Sequence, residues 1–252
     1  MKNWVLFRYP NQNDIHFIGC NDITEIEDIN ISSLKNGFIL RPFNTKYKAK
    51  FINGDEIVLN PDDIFLRKLS FNLKNNTYYS TPESEYIRYV EKSKEQIKNK
   101  LFQKVVPARI RIIESQVEST KIINAFKDAC TNYPNAFISL SSTEKFGTWL
   151  GATPEKLISI NNDNVLETVA LAGTQLSNGK LPSEAVWTQK EIEEQALVSR
   201  FIINSFKEIR LREFEEIGPK TIKAGNLLHL KTTFNINLND IKHLNLDSTL
   251  LN

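Results

Sequence analysis

Cysteine is nearly absent from the chain: Cys20 and Cys130 are the only two. Their separation carries no metal-ligand spacing, and two thiols argue against a disulfide framework. An excess of one charge is also missing. Thirty-two basic residues face thirty acidic ones, a formal net charge of +2, which gives no electrostatic ground for nucleic-acid binding. No apolar run approaches the ~20 residues of a membrane span. The opening MKNWVLFRYP lacks the longer apolar core of a secretory signal. Internal repeats and low-complexity tracts are absent as well. The expectation is a cytoplasmic protein with neither membrane nor nucleic acid among its partners. What is present is ordinary for a globular chain. At 252 residues, 40% of them hydrophobic, there is material for one large domain or two small ones.

The first 75 residues read as a β-rich region. WVLFRYP, DIHFIGC, GFILRPF, YKAKFIN and DEIVLN are short aromatic and β-branched runs separated by Asn, Asp, Gly and Lys. From residue 76 the character changes. Thr81 is placed to cap a helix and Pro82 to open it, and Ile87, Val90, Ile97 and Leu101 then recur at helical spacing. A helix over about 82–101 leads into LFQKVVPARIRII, which reads as a buried strand with Lys104 at its entrance. A second helix is expected near 120–130, with strands at AFISLSS, FGTWLGA, EKLISI and VLETVAL. A long helix is expected over 182–209. In AGNLLHLKTTFNINL, Leu228, Leu230, Phe234, Ile236 and Leu238 alternate with His229, Lys231, Thr233, Asn235 and Asn237. Period two makes a strand with one apolar and one polar face. Long antiparallel-looking strands with interspersed helices favour an α+β fold.

Several residues could carry chemistry, each with a plainer reading beside it. Lys104 sits against Val105 and Val106, where desolvating an ammonium is costly; either its stem snorkels to water or it works in a pocket. Glu191 and Glu194 are three apart on one helical face, which continues to Val198 and Phe201. They form either a solvated acidic patch or an inward pair that needs a cation such as magnesium. Glu155 follows Pro154 in GTWLGATPEKL, a position that is usually solvent-exposed. Gly173 and Thr174 in ALAGTQ could offer backbone N–H groups to an anion, or form an ordinary turn. His229 taken singly is more often structural than catalytic.

The order of these segments is more specific than any one of them. KVVPAR, GATPE, ALAGT, KEIEEQ and GNLLHL follow one another as KVVLSR, GASPE, ALAGT, KDREEH and GNLQHL do in chorismate-utilising enzymes. GFILRPF also resembles a segment ahead of the catalytic region in isochorismate synthases. The resemblance runs from about residue 37 onward. It implies a chorismate-binding fold of large, mostly antiparallel sheets flanked by helices, with 1–75 an N-terminal β-rich region and 76–252 a partial catalytic region.

Within that family, lysine at the position of Lys104 accompanies addition of water, and glutamine addition of ammonia. Ala172 also departs from the lysine that aminodeoxychorismate synthases tend to carry there. The resemblance thus implies an isochorismate synthase, with Lys104 as the base that activates water for attack at C2 of chorismate. Such a base must be available as the neutral amine. Glu155 is implied as the acid that protonates the departing C4 hydroxyl, and Glu194 as a ligand of Mg2+, with Glu191 a weaker candidate beside it. Ala172, Gly173, Thr174 and His229 are implied to line the substrate pocket. A salicylate synthase would use the same lysine, and a truncated, non-catalytic chorismate-binding-like protein is the reading from a different class. Whether isochorismate would feed menaquinone, a siderophore or salicylate depends on neighbouring enzymes.

Among the departures from the pattern, three bear on the argument: Pro107 for leucine, Gln195 for histidine and Glu191 for aspartate. The family's further segments resembling HPTPAVGG and GWYAGPVG have no counterpart before Asn252. The expectations are therefore a fold truncated at its C-terminus, a half-built magnesium site and an inactive isolated chain. An open sheet edge beside Leu228–Leu238 should be covered by a second copy in a homodimer or by a rearranged segment.

Overall fold

Trp4, Val5, Leu6 and Phe7 are all buried, so the first strand must have both of its faces covered. The structure, a computed structural model that describes residues 1–26, 34, 36–44, 46–60, 63, 69–73 and 78–241, shows how. β1 (Asn3–Arg8) and β2 (Ile15–Cys20) form the opening hairpin, followed by β3 (Thr24–Ile26), β4 (Gly37–Leu40), β5 (Ala49–Asn53) and β6 (Ile57–Leu59). Helices α1 (Glu83–Lys98) and α2 (Ser119–Asn132) precede β7 (Phe137–Thr143), β8 (Gly147–Thr153), β9 (Ser159–Ile160) and β10 (Val165–Leu176). Helix α3 (Gln189–Glu208) leads to β11 (Glu215–Ala224) and β12 (Leu227–Asn237).

The described strands form three sheets, ordered β6-β2-β1-β7-β8, β11-β12-β10-β9 and β3-β5-β4, with every pairing antiparallel. On one face of the first sheet, Trp4, Leu6, Ile138 and Leu140 pack against Ile123 and Phe126 of α2. On its other face, Val5, Phe7 and Ile18 meet Ile52 and Phe38 of the small sheet. β1 pairs with β7, so the sequence boundary near residue 75 is crossed by this sheet. A second core joins Leu166, Ala170, Phe206, Phe234 and Ile236 between α3 and the second sheet. Arg8 ties the end of β1 to the turn after α2. Its buried guanidinium donates to the carbonyls of Tyr9, Tyr133 and Pro134 at 2.7–2.8 Å.

The five N-terminal strands, α2 and β7–β9 lie where the sequence patterns place them; β3 and β11 are additional. Other expectations are corrected. The segment 101–113 is not a buried strand: it has no ladder partner among the described residues, and Val106 and Ile113 are 79% and 73% exposed. Thr81 does not cap α1. Pro82 holds the N-cap position, and the Thr81 N–H goes to the Ile110 carbonyl. The long helix is interrupted, with a 3-10 turn at Pro182–Glu184 before α3 begins at Gln189. ALAGTQ is not a turn after a strand but part of β10. β12 does lie inside its sheet as expected, with β10 on one side and β11, the sheet's outer strand, on the other.

Candidate functional site

The site grows from the seat of α3 on β10 and β12. Gln195 is buried and donates from Nε2 to the Ala170 carbonyl at 3.1 Å and to Thr232 Oγ1 at 3.0 Å. These bonds fix the helix against two adjacent strands. One turn back, Gly173 sits at φ +69°, where a Cβ would come within 3.3 Å of Glu191 Cβ. A side chain there would meet both a left-handed backbone and the helix. The β10–β12 register shifts between Ala172 and Thr174, and this bulge re-aims the chain beyond it.

Beyond the bulge, Thr174 stands opposite His229. Thr174 Oγ1 lies 3.1 Å from His229 Nδ1, and the Gly173 carbonyl oxygen 3.3 Å from the same nitrogen. A proton on Nδ1 lets the ring donate to that carbonyl and leaves Nε2 as an acceptor. His229 lines a cavity of about 310 Å³ with Ala152, Pro154, Gly225 and Leu227. A larger cavity of about 840 Å³ shares Asn135, Pro154 and Ala224 with it, and the two form one cleft between the first and second sheets. Glu155 lines the larger part, together with Lys156, Leu171 and Lys231.

Lys104 meets the site from another direction. Its Nζ lies 2.9 Å from Glu194 Oε1, with the two side chains 30% and 35% exposed. The lysine is therefore half-buried and ion-paired, not closed in an apolar pocket. Neither Lys104 nor Glu194 lines the larger cavity that Glu155 borders. The structure thus brings Lys104 to Glu194, and Gly173 and Thr174 to His229, with Glu191 over Gly173. It does not place Lys104 and Glu155 on one cavity wall.

Helix α3 also corrects the expected inward stripe. Glu191 caps its own helix, accepting from the Thr188 N–H at 2.8 Å and from the Thr188 hydroxyl at 2.5 Å. The Thr188 hydroxyl, and then its N–H, hold the Glu191 carboxyl below the usual carboxylate range. Val198 packs half-buried on the second core, but Phe201 is exposed, and the buried positions of α3 are Gln195, Ser199 and Phe206. One position along a helix is a rotation of about 100°, enough to move Glu194 from the interior to its margin. Gln195 stands where the family motif has histidine, whereas Thr232 belongs to no motif. The signal for Thr232 was its place on the apolar face of β12.

A magnesium ion needs oxygen ligands that are free to take it. Among the described residues, no group of three or more His, Cys, Asp or Glu side chains converges. Glu191 is committed to Thr188 and Glu194 to Lys104. These residues do not by themselves make a magnesium site. Among the described residues, no helix is long and apolar enough to cross a membrane.

Comparison with known proteins identifies the fold and the family. No curated protein sequence matches the chain. The fold is similar to that of MenF, the menaquinone-specific isochorismate synthase of Escherichia coli, with a TM-score of 0.64 at 14% identity. That likeness covers 93% of this chain and 64% of MenF, so the chain spans less than two thirds of that protein's length. It is also similar to DhbC of Bacillus anthracis, assigned as a 2,3-dihydroxybenzoate-specific isochorismate synthase. There the TM-score is 0.70 at 15% identity, over 99% of this chain and 72% of the other. At such identities the structural likeness is one of fold. The profile of the chorismate binding enzymes matches residues 63–249, which takes in every motif residue built into the site above. The chain belongs to the chorismate-binding enzyme family.

Proposed function

We propose that the chain binds chorismate in the cleft between its two larger sheets and is of the isochorismate synthase type. The reaction of that type adds water at C2 and expels the C4 hydroxyl. Lys104 takes the role of the base that accepts the proton of the attacking water, and Glu155 that of the acid that protonates the leaving hydroxyl. Thr174 and His229 hold the substrate by hydrogen bonds. One observation carries the reading: Lys104 and Glu194, ninety positions apart, meet at 2.9 Å as members of two separate family motifs.

The same geometry supports weak or absent turnover by the isolated chain. A lysine engaged as an ammonium by Glu194 is not free to accept a proton, and the acid borders a cavity that the lysine does not. Water addition needs both groups on opposite sides of one ring. The test is calorimetric titration with chorismate beside a coupled assay for isochorismate, with and without magnesium, and light scattering on the same preparation. Binding without appreciable turnover is the expected result. Turnover at ordinary enzyme rates by a monomer would refute the inactivity, and absence of chorismate binding would refute the reading itself. Activity confined to a dimer would mean that a second copy completes the site. Formation of salicylate in place of isochorismate would assign the chain to the related elimination chemistry.

A further inference from the structure

Lys231 lines the cleft and has no counter-charge among the described residues. Alternation along β12 places it on the same face as His229, away from α3. Its cross-strand neighbours are Leu171 on β10 and a second lysine, Lys220, on β11. Like charges directly opposite each other destabilise a sheet. Lys156, in the same cleft, is neutralised by Glu167 at 2.8 Å. For Lys231, no carboxylate among the described residues lies within ion-pair distance, although Glu155 borders the same cavity.

The surroundings of Lys231 are largely apolar, with Leu171 and Ile222 beside it on the cavity wall. A half-buried lysine with its stem on such a wall is placed to meet an anion. The cavity, about 840 Å³, is of a size that takes small molecules. Two residues along a strand span about 7 Å, which sets Lys231 and His229 at two points of one continuous cleft.

We propose that Lys231 is the carboxylate-recognising residue of this cleft, and that the ligand is a small cyclic dicarboxylate. The ring lies over Leu171 and Ile222, one carboxylate meets Lys231, and the other end reaches the Thr174–His229 pair. The inference rests on the chorismate reading only for the identity of the dianion.

Calorimetric titrations with chorismate, and with isophthalate as a plain cyclic dicarboxylate, test it on the parent chain, Lys231→Gln, Lys231→Arg and Lys220→Gln. Lys231→Gln should weaken binding at least about tenfold, the scale of losing one hydrogen bond to a charged group. Lys231→Arg and Lys220→Gln should stay near the parent. The melting temperature of Lys231→Gln should not fall, because the substitution removes a like-charge opposition; a clear drop would mark Lys231 as structural and overturn the proposal. Equal chorismate binding by parent and Lys231→Gln would overturn the subsite while leaving the family's substrate in place. Lys231-dependent binding of isophthalate without binding of chorismate would uphold the subsite and remove chorismate. Binding of neither by the parent would overturn both.

Discussion

Two stretches of this molecule carry comparable apolar content and meet opposite fates. β12 alternates Leu228, Leu230, Phe234 and Ile236 with polar residues, and all four are buried. The segment 101–113 carries Val105, Val106, Ile110, Ile112 and Ile113, and all five are exposed. The difference is in their neighbours. β12 has β10 on one side, β11 on the other and α3 across its apolar face. Among the described residues, 101–113 has only scattered ties: Leu101 N–H to the Gln96 carbonyl, Thr81 N–H to the Ile110 carbonyl, Ile112 N–H to Ser80 Oγ, Arg109 over the Tyr86 ring, and Lys104 to Glu194. Strand propensity is mostly fit to a half-buried pleated surface. Without that surface, the same composition stays extended and unpaired.

The sharpest way to break this comparison is to truncate one residue in each stretch. Phe234→Ala should cost about 3–5 kcal/mol, as removal of a buried aromatic does, since its ring meets Phe206 and Phe214 edge-on. Val106→Ala should stay within about 0.5 kcal/mol, as exposed substitutions do. Urea denaturation of both variants decides. A large loss at Val106 would mean that the segment is covered in solution, as a homodimer would cover it.

Next in size is Gln195→Leu. It leaves the Ala170 carbonyl and Thr232 Oγ1 without their shared donor, and a loss of about 1–3 kcal/mol follows for buried groups so stranded. A neutral outcome by thermal melting would show that apolar contacts alone seat α3. Gly173→Ala should then cost about 1–2 kcal/mol for its left-handed backbone, with a further demand on Glu191. Because the bulge sets Thr174 against His229, its ligand affinity should fall more than its stability.

The smallest effect belongs to the small sheet. Glu25 accepts from Lys50 and from Lys145, and these two, Lys50 first, hold its carboxyl at about 2 against an ordinary 4.5. A carboxyl lowered in the folded state contributes stability above its unfolded value and loses it as pH falls towards the folded one. Glu25→Gln should therefore flatten the acid limb between about pH 4.5 and 2. A limb that is unchanged in acid titration by circular dichroism would show the contacts to be too well solvated to matter.

Much of the site was legible as motif and little of it as geometry. Lys104, Glu194, Gly173, Thr174 and His229 could be named because their residue types recur in order along the chain. That Glu191 would cap its own helix was readable in principle, since Thr188 lies three residues before it. The inward aim of the Glu191–Glu194 face was misplaced by a single helical position. Lys231 carried no motif; only the register that sets it opposite Lys220, and the cleft it faces, distinguish it.

What the sequence determined by itself is whatever depends on neighbours in the chain. The five N-terminal strand runs, the span of α2 and the two-faced alternation of β12 are local periodicities that can bury only one way. What the tertiary structure alone decided depends on partners far along the chain. β1 finds β7 across more than a hundred residues, Lys104 finds Glu194, and 101–113 finds no strand among the described residues. A local pattern states which face could be buried. Whether anything arrives to bury it is settled by packing, and packing is not written in any one segment.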